Sequence, residues 1–270
     1  MKNSRAYVIL SELVCIVFML FCLYPLGLML VKSFSSGGFG NAKGGFDNYI
    51  KVFETVDLWP NFVTSFTVVG GTLLVVGVVT SMAAFAFSKL NFPAKNVLYY
   101  LLLTGMMVPV AALIFPLFQV VKGLGLNNTA FSLIFPYATL NALFNLIVLK
   151  NFFDGLPNEL MEAAHIDGAN TWRIFTRILF PLSLPGLSIV LIQTFLLSWN
   201  ELQMAMIFIN KPAMQPISVV PLRFMQNIGQ SFPLGIMYAC LVVCLLPIAI
   251  FYLFAQRLMV RGLTAGAVKG

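Results

Sequence analysis

Six long apolar runs, each followed by short polar punctuation, set the pattern of this chain. They fall at residues 6–31, 62–87, 97–121, 131–149, 185–209 and 234–254. At 1.5 Å per residue a helix of about 20 residues crosses the ~30 Å hydrocarbon core of a bilayer, so each run predicts a transmembrane helix. One polar stretch departs from the pattern. Residues 154–183, between the fourth and fifth runs, read DGLPNELMEAAHIDGANTWRIFTRILFPLS and predict two short helices. Pro157 suits a first helical position, Gly168 a C-terminal stop and Asn170 a new N-cap, while Pro181 and then Pro185 predict the end of the second helix and the start of the fifth span. The fold class is all-α integral membrane protein: six transmembrane helices in one domain over 1–270, with an elbow between spans four and five.

Details within the runs refine this picture. The second run carries Gly77/Ser81 and Ala84/Ser88 at four-residue spacing, which permits close helix approach in lipid. Pro109 and Pro116 predict that the third span is kinked or broken. The first run follows Lys2 and Arg5 but is too long for the apolar part of a signal peptide and has no small-x-small cleavage site, which reads as a retained span. With the N-terminus inside, ten of the 16 Lys and Arg residues fall on the cytoplasmic side. That bias puts both termini, and the elbow, in the cytoplasm.

Composition agrees: 60% of residues are hydrophobic and 9% charged, against about 25% charged in a soluble domain. The net charge of +7 comes without any basic run, so it reflects topology and not nucleic-acid binding. Cys15, Cys22, Cys240 and Cys244 all lie inside apolar runs, which argues against a disulfide framework or a loop metal site. No nucleophile elbow, HExxH, phosphate-binding glycine loop or metal-spaced cysteine pair occurs, and the single His165 reads as a solvated or interfacial residue. The pattern offers no catalytic apparatus, no bound cofactor and no metal.

Two places carry candidate function. The first elbow helix groups Leu160, Met161, Ala163 and Ala164 as a compact apolar surface beside Glu159 and Glu162. It lacks the Lys and Arg that interfacial helices favour, so a groove on a soluble partner suits it better than the membrane surface. In the second elbow helix, Trp172, Phe175 and Leu179 recur at helical spacing and predict packing beneath the spans. Glu201, in an apolar run with Asn200 and Gln203, is the second place. Either it lines a polar path, with Asn141 and Asn145 of the fourth span, or the fifth span ends early and leaves Glu201 at the outer interface, or Glu201 bonds a neighbouring helix. Used as an ion site, Glu201 would make the chain an ion-coupled solute carrier.

Glu162-Ala163-Ala164, Asp167-Gly168-Ala169, then Phe175, Ile178, Pro181 and Pro185, resemble the EAA motif of ABC-importer permeases, with Phe180 where leucine is frequent. Trp199-Asn200-Glu201, Gln256-Arg257, Val260-Arg261-Gly262-Leu263-Thr264 and the closing Gly266-Ala267-Val268-Lys269-Gly270 resemble the carbohydrate-uptake branch, its maltose-permease G-like subunits. The resemblance implies a permease of a bacterial or archaeal inner membrane. Its implied partners are a second homologous permease, two cytoplasmic ATPase subunits holding ATP and Mg, and an extracytoplasmic sugar-binding protein. Residues Pro157–Gly168 would be the coupling helix, with Leu160, Glu162, Ala163, Ala164, Asp167 and Gly168 meeting an ATPase, and Arg261 and Lys269 in a tail that also reaches the ATPases.

Overall fold

A computed structural model describes the backbone of residues 2–36, 44–226 and 234–267, and the side chains of 7–36, 44–225 and 234–256. Among the described residues every regular element is a helix. Five helices are long and apolar enough to cross a membrane, and a bent pair makes a sixth.

The chain divides into two compact units. The first, Met1–Leu58 with Val220–Leu246, holds α1 (Lys2–Ser33), α2 (Asp47–Thr55), α11 (Val220–Gln226) and the first part of α12 (Leu234–Ala267). From Tyr7 to Ser33, none of the most apolar stretch of α1 is buried. A helix this apolar and this uncovered belongs in lipid or against another subunit.

The second unit, Trp59–Val219 with Pro247–Gly270, is built on three mutually packed helices: α3 (Trp59–Lys89), α6 (Phe131–Asp154) and α9 (Phe180–Asn200). In lipid such helices associate by close packing and not by water exclusion, which favours small residues at the contact. Ser81 and Ala84 are buried, as their spacing predicts, and a Cβ on Gly77 would only touch Leu191. Gly186 of α9 is tighter: a Cβ there would come within 2.6 Å of the Phe152 ring. Any side chain would therefore push α9 off α6. One aromatic core joins Phe85, Phe153 and Phe175 at one end of α9; a second core, around Tyr137, Met204 and Phe208, lies at the other.

Four expected spans differ from what is found. The sixth continues as helix past 254 to Ala267. The third is two helices, α4 (Lys95–Gly105) and α5 (Val110–Gly123), bent by 101°. Pro109 sits at the break with an extended ψ of 131°, since proline has no N–H to give the preceding turn and disfavours helix at Val108. Pro116 stays inside α5 without ending it. The fourth runs beyond 149 to Asp154, held by the Lys150–Asp154 ion pair at 2.7 Å.

The fifth differs most. It does not begin after Pro185, nor do Pro181 and Pro185 separate it from the elbow. Helix is unbroken from Thr171 to Asn200 through α8 (Thr171–Ile174), a π turn (Phe175–Leu179) and α9. The π turn explains why: it widens the ladder, so that Phe180 N–H reaches back to Phe175 O, and the chain absorbs Pro181 without breaking. The helix then stops at Asn200, not 209; a separate α10 (Gln203–Phe208) follows.

Candidate functional site: the elbow and the polar line behind it

Five polar side chains fix the start of the elbow. Asp154 accepts from Ser88 Oγ at 2.6 Å and from Lys150. Lys89, the last residue of α3, extends its Nζ to Leu156 O and to Asn158 Oδ1, both at 2.7 Å. The turn after α6 is thereby tied to the end of α3. Helix α7 (Glu159–Ile166) begins after Asn158, so Pro157 precedes the cap and is not the first helical residue. Glu159 and Glu162 lie in its first turn, where the helix dipole favours negative charge.

The end of α7 follows its sequence signals. Gly168 has φ of +75°, a conformation that costs a residue with a Cβ but not glycine. Gly168 N–H reaches His165 O at 3.0 Å and Ala169 N–H reaches Ala164 O at 2.9 Å. That pair of bonds is a Schellman motif. Asn170 then caps α8, its Oδ1 accepting from Arg173 N–H at 2.8 Å.

These caps orient the two faces of α7. Ala164 is 6% exposed and Met161 packs beside it on Phe153 and its neighbours, so these two belong to the interior and not to the outer surface expected of them. Leu160, Glu162, Ala163, Asp167 and Gly168 are exposed. Ile166, unsuspected from the sequence, is 87% exposed. The reason is register: Met161 and Ala164, three apart, share one face, whereas Leu160, Ala163 and Ile166 recur at the same spacing on another. Beyond it, Phe175 and Leu179 are buried as expected, and Ile174 with them, but Trp172 remains 60% exposed with its ring tilted 5.7 Å from that of Phe175. The outward face leads into an uninterrupted helix that becomes the fifth span.

Behind the elbow a polar line runs between α6 and α9. Asn145 Nδ2 donates to Thr194 Oγ1 at 2.9 Å, and one turn along Asn141 Nδ2 donates to Tyr137 O at 2.8 Å. Asn141 Oδ1, Asn145 Oδ1 and Ser198 Oγ are buried without a hydrogen-bond partner. At the far end Glu201 is fully engaged. The Tyr137 hydroxyl donates to its carboxylate, which also accepts Met204 N–H at 2.9 Å and Ala205 N–H at 3.1 Å, while Ser218 Oγ donates to its carbonyl at 2.8 Å. Glu201 thus ends one helix and caps the next. Asn200 and Gln203 are exposed and do not join this line. Lys269 lies outside the described residues, as does the side chain of Arg261.

A family model described as binding-protein-dependent transport system inner membrane component matches residues 74–265, the elbow included. The chain belongs to that family. Among curated relatives of this permease, the trehalose transport system permease protein SugB of Mycobacterium tuberculosis is 35% identical over 83% of this chain and 82% of its own length. The trehalose/maltose transport system permease protein MalG of Thermococcus litoralis is 30% identical over 92% of each. A solved bacterial ABC transporter involved in the import of alginate shares the fold, with a TM-score of 0.81 at 21% identity over 95% of this permease and 98% of that chain. As an inner membrane component of a transport system, the permease is a membrane-embedded transport subunit. Among its described residues no group of three or more His, Cys, Asp or Glu is placed to hold a metal ion.

Lys89 and Tyr137 escaped the sequence reading because their partners lie 67 and 64 residues away along the chain. A lysine at a span's end has a ready topological explanation, which hid its bonds to the elbow. Ile166 had a usable signal: it is three residues beyond Ala163 on the same face.

Proposed function

We propose that this permease is one of two homologous membrane subunits of an ATP-driven sugar importer, and that α7 is the element through which ATPase subunits drive it. The single observation that carries the reading is the elbow itself. Its first helix is closed by the Schellman motif at Gly168, its second is capped by Asn170 and continuous with the fifth span, its start is pinned to α3 by Lys89, and Leu160, Ala163 and Ile166 are left exposed. The sugar class rests on the relatives named for trehalose and maltose transport. The elbow and both termini face the cytoplasm of an inner membrane, as the Lys and Arg bias indicates. An extracytoplasmic binding protein delivers the sugar on the other side.

In this reading ATP closes the paired ATPases, their affinity for one position of α7 over another shifts the equilibrium, and the helix from Thr171 to Asn200 passes the displacement to the core of α3, α6 and α9. The cavity then alternates between inward and outward access. Chemistry stays on the ATPases, which hold ATP and Mg. Asn141 and Asn145 contribute to the substrate path, whose buried free acceptors suit hydroxyl donors. Glu201, committed to Tyr137 and to α10, supports that path and does not carry an ion.

The test is uptake by the four-subunit importer and its binding protein in vesicles. Uptake that requires enclosed or added ATP and survives collapse of the proton and sodium gradients supports the proposal; uptake that follows a gradient at constant ATP refutes it.

A further inference from the structure

The structure assigns a lipid contact to α2 (Asp47–Thr55): we propose that this short helix lies in the plane of the membrane interface, with Phe46, Ile50 and Phe53 among the lipid headgroups and upper acyl chains. At about 100° per residue these three side chains fall within a sector of about 60°. They are 75%, 54% and 58% exposed. The opposite sector is held by protein. Asn48 and Val52 are buried; Asn48 Nδ2 donates to Ser33 O at 2.8 Å and to Ser35 O at 3.2 Å, and the Tyr49 hydroxyl lies 2.7 Å from Ser33 Oγ. The start of α12 closes on the same side, where a Cβ on Gly235 would come within 2.6 Å of Asn48 Nδ2. Asp47, Lys51 and Glu54 take the remaining sector.

Lipid is the occupant because the apolar face of α2 continues an apolar surface that already needs a bilayer. All its bonds to α1 are to the last turn, where that uncovered span ends. Phe34 joins the two surfaces: it is 42% exposed, and its ring stands 5.4 Å from Phe46 and 5.3 Å from Tyr49. A helix fixed at the end of a span by one face, with aromatic and aliphatic residues on the next, meets the interface region where such side chains settle. The polar sector holds one cation and two anions, so attraction to anionic headgroups contributes nothing.

The experiment uses the assembled importer in phosphatidylcholine vesicles. Cys15, Cys22, Cys240 and Cys244 are replaced by alanine, and Ile50→Cys, Phe53→Cys or Lys51→Cys is labelled with an environment-sensitive fluorophore. The expected result is blue-shifted emission at 50 and 53, quenched by phospholipid bearing a nitroxide near the headgroup and spared by aqueous iodide, with the reverse at 51. Adding phosphatidylglycerol leaves these values unchanged. Iodide quenching at 50 and 53 equal to that at 51 would overturn the proposal, as would protection from both quenchers, which marks a protein cover. Two independent positions guard against one variant that disturbs the helix.

Discussion

At the Asn200 end of α9, the chain folds back on itself and covers most of its apolar side chains: Met204, Ala205, Phe208, Ile209, Ile217 and Val219 are all 4% exposed or less, while Met206 and Ile207 stay 41% and 44% exposed. At the other end, where α9 joins the elbow, Ile166 is 87% exposed and Leu160 37% on a helix whose C-terminal end is closed by a Schellman motif. Both ends therefore hold the backbone by local chemistry, the Glu201 carboxylate at one and the Asn170 side chain with the positive φ of Gly168 at the other. They differ in whether the ordered helix keeps its apolar face for itself. Order without self-burial is what a docking element needs, because a preformed helix loses less conformational entropy on binding.

The comparison can be broken most severely at Gly168. Proline cannot adopt φ near +75° and has no N–H for His165, so Gly168→Pro removes the stop of α7 at a cost of about 1–3 kcal/mol in strain and about 1 kcal/mol in the lost bond. The chain still reaches the membrane, but ATP-driven uptake falls to background; full uptake would refute the elbow's role. At the opposite end, Glu201→Ala leaves Met204 and Ala205 N–H groups and the Tyr137 hydroxyl without their acceptor. Thermal unfolding in detergent should show a loss of about 2 kcal/mol, with uptake retained at low temperature. Loss of uptake with unchanged stability would instead mark Glu201 as a transport group.

Lys89→Met tests the tie between α3 and the elbow. Losing bonds to Leu156 O and Asn158 Oδ1 at a partly exposed site costs about 1 kcal/mol, or about a fivefold fall in uptake per ATP hydrolysed. Unchanged coupling would make the tie dispensable. The smallest expected effect on folding is at Ile166, whose replacement by a polar residue should alter stability by no more than about 0.5 kcal/mol, since nothing packs on it.

Much of this arrangement was legible in the chain. Lengths of apolar runs place the spans, and local chemistry that depends on a few neighbouring residues, such as Gly168 after α7, Asn170 before α8 and Pro109 at the break, reads directly. Features that depend on distant partners do not. Pro181 looked like a helix end because proline normally is one; only the π turn, which no single residue signals, lets the helix continue. Glu201 could have been a path-lining acid or a cap, and the decision rests on Tyr137 from α6. Ala164 and Met161 were assigned outward because amphipathicity on a small-residue helix is too weak to say which of two faces meets the core.

The most direct measurement of the central claim is retention of ATPase subunits on the purified importer carrying Ile166→Asp. A charge on the uncovered face of α7 should leave the permease pair folded and release the ATPases, abolishing ATP-driven uptake, while Glu201→Ala retains them at low temperature. ATPases that remain bound to the Ile166→Asp importer, with uptake undiminished, would contradict the account.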